Sequence, residues 1–309
     1  MTPDKANITR GLLLGLLGVV IFSVTLPMTK LAVGSAAAPQ LSPWFVTFGR
    51  AAVAGVLSVL YLLTQRLRGS WQIPVGKQWR LLALTALAVV VGFPLFLALA
   101  LQHVPSTHGA VVTGLLPLAT AVMAALWFVQ RPSNGFWVCA IAGTLLVLAF
   151  MVIRSADGTG HLSLHLADVF LLLAMTSAAF GYVSGARLTP ALGAERVICW
   201  VLVISLPFTV PLALMHAPAD IHAIRPASWG AFAYVAVFSM WAGFFAWYRG
   251  LAMGGAVRVS QVQLVQPFLS MLFAVPLLGE RLDGVTVGFG LAVIAIVFVG
   301  KKMPVNSAG

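Results

Sequence analysis

The stretch RVSQVQLVQPFLSMLFAVPLLGERL, residues 258–282, decides the fold. Most of it is as apolar as a protein core, yet it holds three glutamines and two prolines. Carboxamides are costly beside lipid unless they meet a partner or a water-filled space, and proline interrupts the hydrogen bonding of a helix. The pattern therefore predicts a membrane-crossing helix that borders an interior cavity.

The whole chain shares this apolar character. Of its 309 residues, 61% are hydrophobic and only 8% are charged, with a mean hydropathy of +1.01. A soluble domain carries about 25% charged residues, so this composition predicts an integral membrane protein. The net charge of +11 lacks the basic runs with interleaved aromatics that follow nucleic acid, so none is expected as a partner. The two cysteines and six histidines show no metal-ligand spacing, and no metal or cofactor is predicted.

Ten apolar runs reach the length of about 20 residues that a helix needs to cross a bilayer. They lie at residues 10–30, 43–64, 79–101, 106–128, 135–153, 168–188, 197–216, 229–250, 257–278 and 284–301. Of the 18 Lys and Arg, thirteen fall on the side of the N-terminus, four fall on the other side, and Arg50 lies within a run. Cytoplasmic loops carry such an excess of basic residues. The sequence thus predicts an all-α fold of ten transmembrane helices with both termini in the cytoplasm.

A weak internal repeat divides the chain. Pro117 aligns with Pro267 and Arg131 with Arg281, each pair 150 residues apart. Two halves, 1–155 and 160–309, then hold five spans each, without a soluble domain. Because five is odd, the second half must enter the membrane inverted. Inverted repeats place a binding site between the halves near the midplane and permit alternating access.

Three segments resemble the drug/metabolite transporter superfamily in its ten-helix, EamA-type branch. They are FGRAAVAGVL (48–57), SQVQLVQPFLSMLFAVPLLGERL (260–282) and GVTVGFGLAVIAIVFVG (284–300). The resemblance implies a multi-pass transporter of small molecules in a bacterial inner membrane, rather than an enzyme. Length, basic termini and aromatic interior are most similar to bacterial exporters of aromatic amino acids. Gln130 departs from the acidic residue expected before Arg131, and Glu280 is expected only to fix a helix end.

Polar residues inside the spans are the first candidates for a substrate site. At 100° per residue, Gln263, Gln266 and Ser270 share one face of the ninth span, and Thr113 is the equivalent of Gln263 in the first half. This face either lines a cavity or hydrogen-bonds to a neighbouring helix. Ser23 in the first span is a further candidate.

Arg50 is the charge that lies deepest in the predicted membrane region. It either binds a substrate carboxylate or anchors neighbouring helix ends. Three prolines within the spans are predicted hinges around the cavity: Pro27, Pro117 and Pro267.

Aromatic residues of the eighth span recur at spacings of 4, 3, 4 and 3, which predicts one face of five rings. They are Tyr234, Phe238, Trp241, Phe245 and Tyr248. The face is either a packing seam or a cavity wall that suits flat cargo. The site is therefore expected to contain Trp241, Phe245 and Tyr248, joined by Phe93 and Phe96 of the third span and by Tyr182 of the sixth.

All seven acidic residues lie in tails, loops or span ends. Ion-coupled carriers commonly use buried carboxylates, so the sequence favours a uniporter. The predicted function is export of small amphiphilic metabolites, foremost aromatic and other neutral amino acids, by alternating access. The alternatives are a multidrug or organic-cation exporter of the same fold and a membrane-embedded enzyme. The sequence is compatible with a monomer.

Overall fold

The computed structural model describes residues 5–70, 72–127, 131–155, 166–254, 260–303 and 305–306. In these ranges the regular structure is helical, apart from a two-residue antiparallel ladder that pairs β1 (Arg131–Pro132) with β2 (Val305–Asn306). The all-helical prediction is therefore confirmed. The ladder joins a segment in the middle of the chain to the C-terminal segment.

Fourteen α-helices, two π-helical segments and one 3₁₀ segment make up the described helical structure. The α-helices are α1 (Lys5–Ser23), α2 (Thr25–Val33), α3 (Pro43–Leu67), α4 (Lys77–Ala86), α5 (Phe93–His103), α6 (Ser106–Thr113), α7 (Leu116–Trp127), α8 (Asn134–Ser155), α9 (Leu166–Leu192), α10 (Ala194–Met215), α11 (Pro226–Tyr234), α12 (Gly243–Gly254), α13 (Gln266–Leu278) and α14 (Gly284–Lys302). The π-helical segments are Leu87–Gly92 and Val235–Ala242, and the 3₁₀ segment is Ser260–Val265.

Six of these helical stretches are long and apolar enough to cross a membrane. They are Thr9–Val33, Pro43–Leu67, Lys77–His103, Leu166–Leu192, Ala194–Met215 and Pro226–Gly250. Shorter apolar helices cover Trp137–Phe150, Gln266–Leu278 and Gly284–Gly300. The chain is thus a multi-pass membrane protein, whereas ten crossings and the inverted arrangement of two halves stay predictions.

The three predicted hinge prolines each follow a helix interruption. Pro27 is the third residue of α2, directly after the break that separates α1 from α2. Pro117 is the second residue of α7, and Pro267 is the second residue of α13. Proline is tolerated in a first turn because its missing N–H would have no acceptor in the helix there. Their role as hinges stays a prediction.

The π-helical segments lie at corresponding places in the two sequence halves. Leu87–Gly92 directly precedes Phe93, and Val235–Ala242 directly precedes Gly243. A π-helical turn is wider than an α-helical turn and shifts the side chains that follow it around the helix. The sequence analysis missed both segments, because their side chains are as apolar as those of an ordinary helix.

Close helix packing brings α12 against α1, and α10 against α3. At Gly250 of α12, an added Cβ would lie 2.7 Å from the Gly15 nitrogen and 2.9 Å from the Gly11 oxygen. Small residues let backbones approach in this way inside membranes, where van der Waals contact drives association. The positions of α1 and α12 are therefore fixed by backbone contact.

Two carboxylates of the C-terminal half hold the first turn of α6. Glu280 accepts the N–H groups of Ser106 at 2.7 Å and Thr107 at 2.9 Å, through its two oxygens. Asp168 Oδ1 lies 2.8 Å from His108 Nε2, and both side chains are buried. The first N–H groups of a helix lack acceptors within it, and its N-terminus favours negative charge. Glu280 does fix a helix end, but that helix is α6. We name this group of five residues the α6 clamp.

Candidate functional site

A central cavity of about 30 Å³ lies where both sequence halves meet. Five residues predicted for the site line it together: Arg50, Phe93, Thr113, Tyr182 and Gln266. They come from α3, α5, α6, α9 and α13. One water molecule needs about 10–15 Å³ of cavity volume, so the cavity has room for a few waters in this conformation.

Arg50 is 2% exposed and lines this cavity. Its Nη2 donates to Ser239 Oγ at 3.0 Å, and Ser239 Oγ lies 2.8 Å from Thr25 Oγ1 within hydrogen-bond range. Neither Nε nor Nη1 has a partner among the described residues. Burying a guanidinium without a counter-charge costs several kcal/mol. The unpartnered N–H groups therefore require water or an anion in the cavity.

Aromatic rings form the apolar wall. Phe22 of α1 and Phe244 of α12 meet edge to face, with ring centroids 5.1 Å apart. Tyr182 meets Phe244 in the same way at 6.5 Å, and Phe93 completes the set. Such edges and faces can hold a flat ring.

A smaller polar space of about 10 Å³ adjoins the cavity through Thr113 and Gln266, which line both. Gln263 lines only the polar space; it is 5% exposed, and its Nε2 has no partner in the described part of the chain. Gln263 of the 3₁₀ segment and Gln266, the first residue of α13, both face this space. Ser270 donates to the Ser23 carbonyl at 2.9 Å and closes this space against α1.

The rings expected on the eighth span do not line the central cavity in this conformation. Trp241 packs on Phe245 at 4.7 Å, and Phe245 meets Tyr61 of α3 at 4.9 Å. Tyr248 is 2% exposed and packs on Phe244 at 5.4 Å. In this conformation these rings pack between helices, which is one of the two alternatives that the sequence leaves open for the ring face.

Two other predicted residues also lie away from the cavity. Phe96 stacks on Phe170 of α9 with centroids 6.1 Å apart. The Ser23 hydroxyl donates to the Val19 carbonyl at 2.7 Å, inside its own helix. Whether these residues, or those of the ring face, contact substrate in another conformation stays a prediction.

Other lining residues were missed by the sequence analysis, among them Phe22, Thr25, Ser239 and Phe244. Thr25 stands two residues before Pro27, where a helix interruption could have pointed to it. The hydrogen-bond partner of Arg50 is Ser239, and no local pattern in the sequence connects these two residues. Within the described ranges, no group of three His, Cys, Asp or Glu side chains comes together as a metal site would require.

Comparisons with known proteins fit this architecture. The model of the EamA-like transporter family matches residues 9–153 and 165–300. An uncharacterized transporter of Bacillus subtilis, YdeK, is 42% identical over 294 residues, covering 95% of this chain and 98% of that protein. An uncharacterized transporter of Archaeoglobus fulgidus is 24% identical over 264 residues, covering 84% and 88%.

More distant similarity reaches plants and a solved structure. A chloroplastic WAT1-related protein of Arabidopsis thaliana is 25% identical over 270 residues, covering 84% of this chain and 63% of that protein. A crystal structure with 17% identity superimposes with a TM-score of 0.60 over 94% of this chain and 98% of the other, which shows the fold alone. The family match over both halves, together with the close Bacillus relative, shows that this chain belongs to the EamA-like transporter family of membrane proteins.

Proposed function

We propose that this transporter exports small amphiphilic metabolites, foremost aromatic and other neutral amino acids, from the cytoplasm across a bacterial inner membrane. The path is the central cavity between two inverted five-helix halves, residues 1–155 and 160–309. The two separate family matches and the corresponding π-helical segments support the division into halves. In this proposal, the transporter works by alternating access and both of its termini lie in the cytoplasm.

Arg50 carries the proposal about substrate. Its Nε and Nη1 are unpartnered beside the ring-lined cavity, and no Asp or Glu lines that cavity within the described residues. A carboxylate would supply both the missing charge and the missing acceptors. The rings Phe22, Phe93 and Phe244 would cover the apolar body of the same molecule.

The small volume of the cavity supports alternating access. At about 30 Å³ it excludes an amino acid, so the helices must separate before cargo binds. At Pro27, Pro117 and Pro267 the proline nitrogen has no N–H to donate, so each of these places lacks one backbone donor. Separation at these points costs fewer hydrogen bonds than bending an unbroken helix.

The test is counterflow of L-phenylalanine in proteoliposomes without an ion gradient. We expect Arg50→Gln to slow counterflow about tenfold to a hundredfold, because a hydrogen bond to a charged group contributes about 1.5–3 kcal/mol. We also expect wild-type protein to prefer phenylalanine over its methyl ester, and the variant to lose this preference. The matched control is Arg68→Gln, which changes an exposed arginine at the end of the same helix.

Three results would contradict parts of the proposal. Unchanged phenylalanine counterflow in Arg50→Gln would remove the assigned role of Arg50. A strict need for a proton gradient would remove the uniport mechanism. Faster transport of organic cations than of phenylalanine would favour the multidrug alternative, which a positive charge in the cavity disfavours.

A further inference from the structure

A second cavity, of about 360 Å³, lies apart from the central one and shares no lining residue with it. Tyr61 of α3 and Phe245 of α12 supply two rings, while Glu195 of α10 and Arg249 of α12 supply two charges. Its remaining walls are small or aliphatic side chains of α1, α12 and the preceding π-helical segment. Cavities that hold small ligands measure about 300–1,000 Å³, so this one has the size for a single small molecule. We name it the charged groove.

The charges of the groove form an ion pair that is open to a ligand. Arg249 Nε lies 2.7 Å from Glu195 Oε1, and the side chains are 62% and 17% exposed. Most of the Arg249 side chain is therefore accessible, and the carboxylate has only one of its oxygens in this contact. Tyr61 is close enough to both charges to interact with them electrostatically.

The aromatic part of the groove stands next to this pair. Tyr61 and Phe245 meet edge to face, with centroids 4.9 Å apart and planes at 63°. A third ring inserted here would find one face and one edge. The groove thus places a positive charge, a negative charge and an aromatic surface within one cavity. These three groups complement the carboxylate, the ammonium group and the ring of a zwitterionic aromatic molecule.

The groove and the central cavity lie on two sides of one helix. Phe244 lines the central cavity, while the next residue, Phe245, lines the groove. Glu195 and Arg249 also stand at span ends that the charge distribution assigns to the cytoplasm. The groove and the central cavity therefore share α12 as a wall.

We propose that the charged groove is a first binding site for zwitterionic aromatic amino acids on the cytoplasmic side. The α-carboxylate binds Arg249, the α-ammonium binds Glu195, and the ring packs on Tyr61 and Phe245. The identity of the cargo rests on the proposed function, whereas the chemistry of the groove does not. A phosphatidylethanolamine head group carries the same pair of charges, but its glycerol esters offer no ring for the aromatic wall.

The experiment compares Glu195→Gln, Arg249→Gln and the reversed pair Glu195→Arg/Arg249→Glu with wild-type protein. In proteoliposomes we expect each single variant to raise the KM for L-phenylalanine about tenfold with kcat retained, since one charged contact is lost. The reversed pair should recover most of the affinity, because both charges remain. Arg80→Gln, which alters an exposed arginine outside the groove, is the control.

Binding without transport separates the two proposals. Equilibrium dialysis should show that Arg50→Gln still binds L-phenylalanine and that Arg249→Gln does not. Binding of 3-phenylpropionate, which has no ammonium group, should be the same in Glu195→Gln as in wild-type protein. If wild-type protein moves no amino acid but the groove binds phenylalanine in this pattern, the proposed function fails and the groove stands. Unchanged KM and unchanged binding in both single variants would overturn the groove proposal. So would sensitivity that appears only in vesicles containing phosphatidylethanolamine, which would make the groove a lipid site.

Discussion

Replacing Glu280 with alanine tests the contact between this carboxylate and the first turn of α6, which joins distant parts of the sequence. The carboxylate accepts two N–H groups, from Ser106 at 2.7 Å and Thr107 at 2.9 Å. Each hydrogen bond to a charged group contributes about 1.5–3 kcal/mol, and the helix N-terminus adds about 0.3–1 kcal/mol. Glu280 is only half-buried, so water will replace part of this loss. We expect the free energy of unfolding to fall by about 2 kcal/mol.

The assay is reversible unfolding by dodecyl sulfate in mixed micelles, followed by helical circular dichroism. Glu280→Gln keeps one acceptor of the right length and should lose about 1 kcal/mol, half of the alanine effect. Asp220→Ala is the matched control, because Asp220 accepts one N–H, from His222 at 2.8 Å, in an exposed loop. A change below about 0.5 kcal/mol in Glu280→Ala would refute the reasoning, since exposed contacts reach that value.

Two further predictions use the same unfolding assay. Gly250→Ala should lower the free energy of unfolding by about 2–3 kcal/mol, because the new methyl group would push α12 from the α1 backbone, whereas Gly230→Ala, which meets nothing within 4 Å, should not lower it. A stable Gly250→Ala protein would mean that α1 and α12 are less tightly packed. Asp168→Ala should cost about 2–3 kcal/mol, because it leaves His108 buried without its partner, and adding His108→Leu should restore part of that loss. If the double variant is less stable than Asp168→Ala, the loss in Asp168→Ala does not come from leaving His108 without a partner.

The sequence predicted an all-helical, multi-pass membrane protein, because the cost of polar groups in lipid forces long apolar runs. Five residues that it proposed for the site, Arg50, Phe93, Thr113, Tyr182 and Gln266, line the central cavity, because polar and aromatic residues are few within the apolar runs. These signals are local, so they can be read from one segment at a time.

The remaining features could not be predicted because they depend on distant partners or on backbone geometry. The contact of Arg50 with Ser239 joins residues 189 positions apart, and that of Glu280 with Ser106 joins residues 174 apart. Which side of the eighth span faces the cavity depends on its packing against other helices, so the sequence indicated Phe245 where Phe244 lines the cavity.

The α6 clamp also has a mechanical consequence. Helix α6 runs from the clamp at Ser106 to the cavity at Thr113, and α13 runs from the cavity at Gln266 towards the clamp at Glu280. Thirteen residues of α-helix span about 20 Å, so α13 connects the two places, with Pro276 inside the helix near the clamp. If cargo in the cavity shifts Gln266 and α13 transmits this shift to Glu280, the coupling free energy between the two places is reciprocal. Loosening the clamp would then change the affinity of the cavity by the same factor by which cargo loosens the clamp.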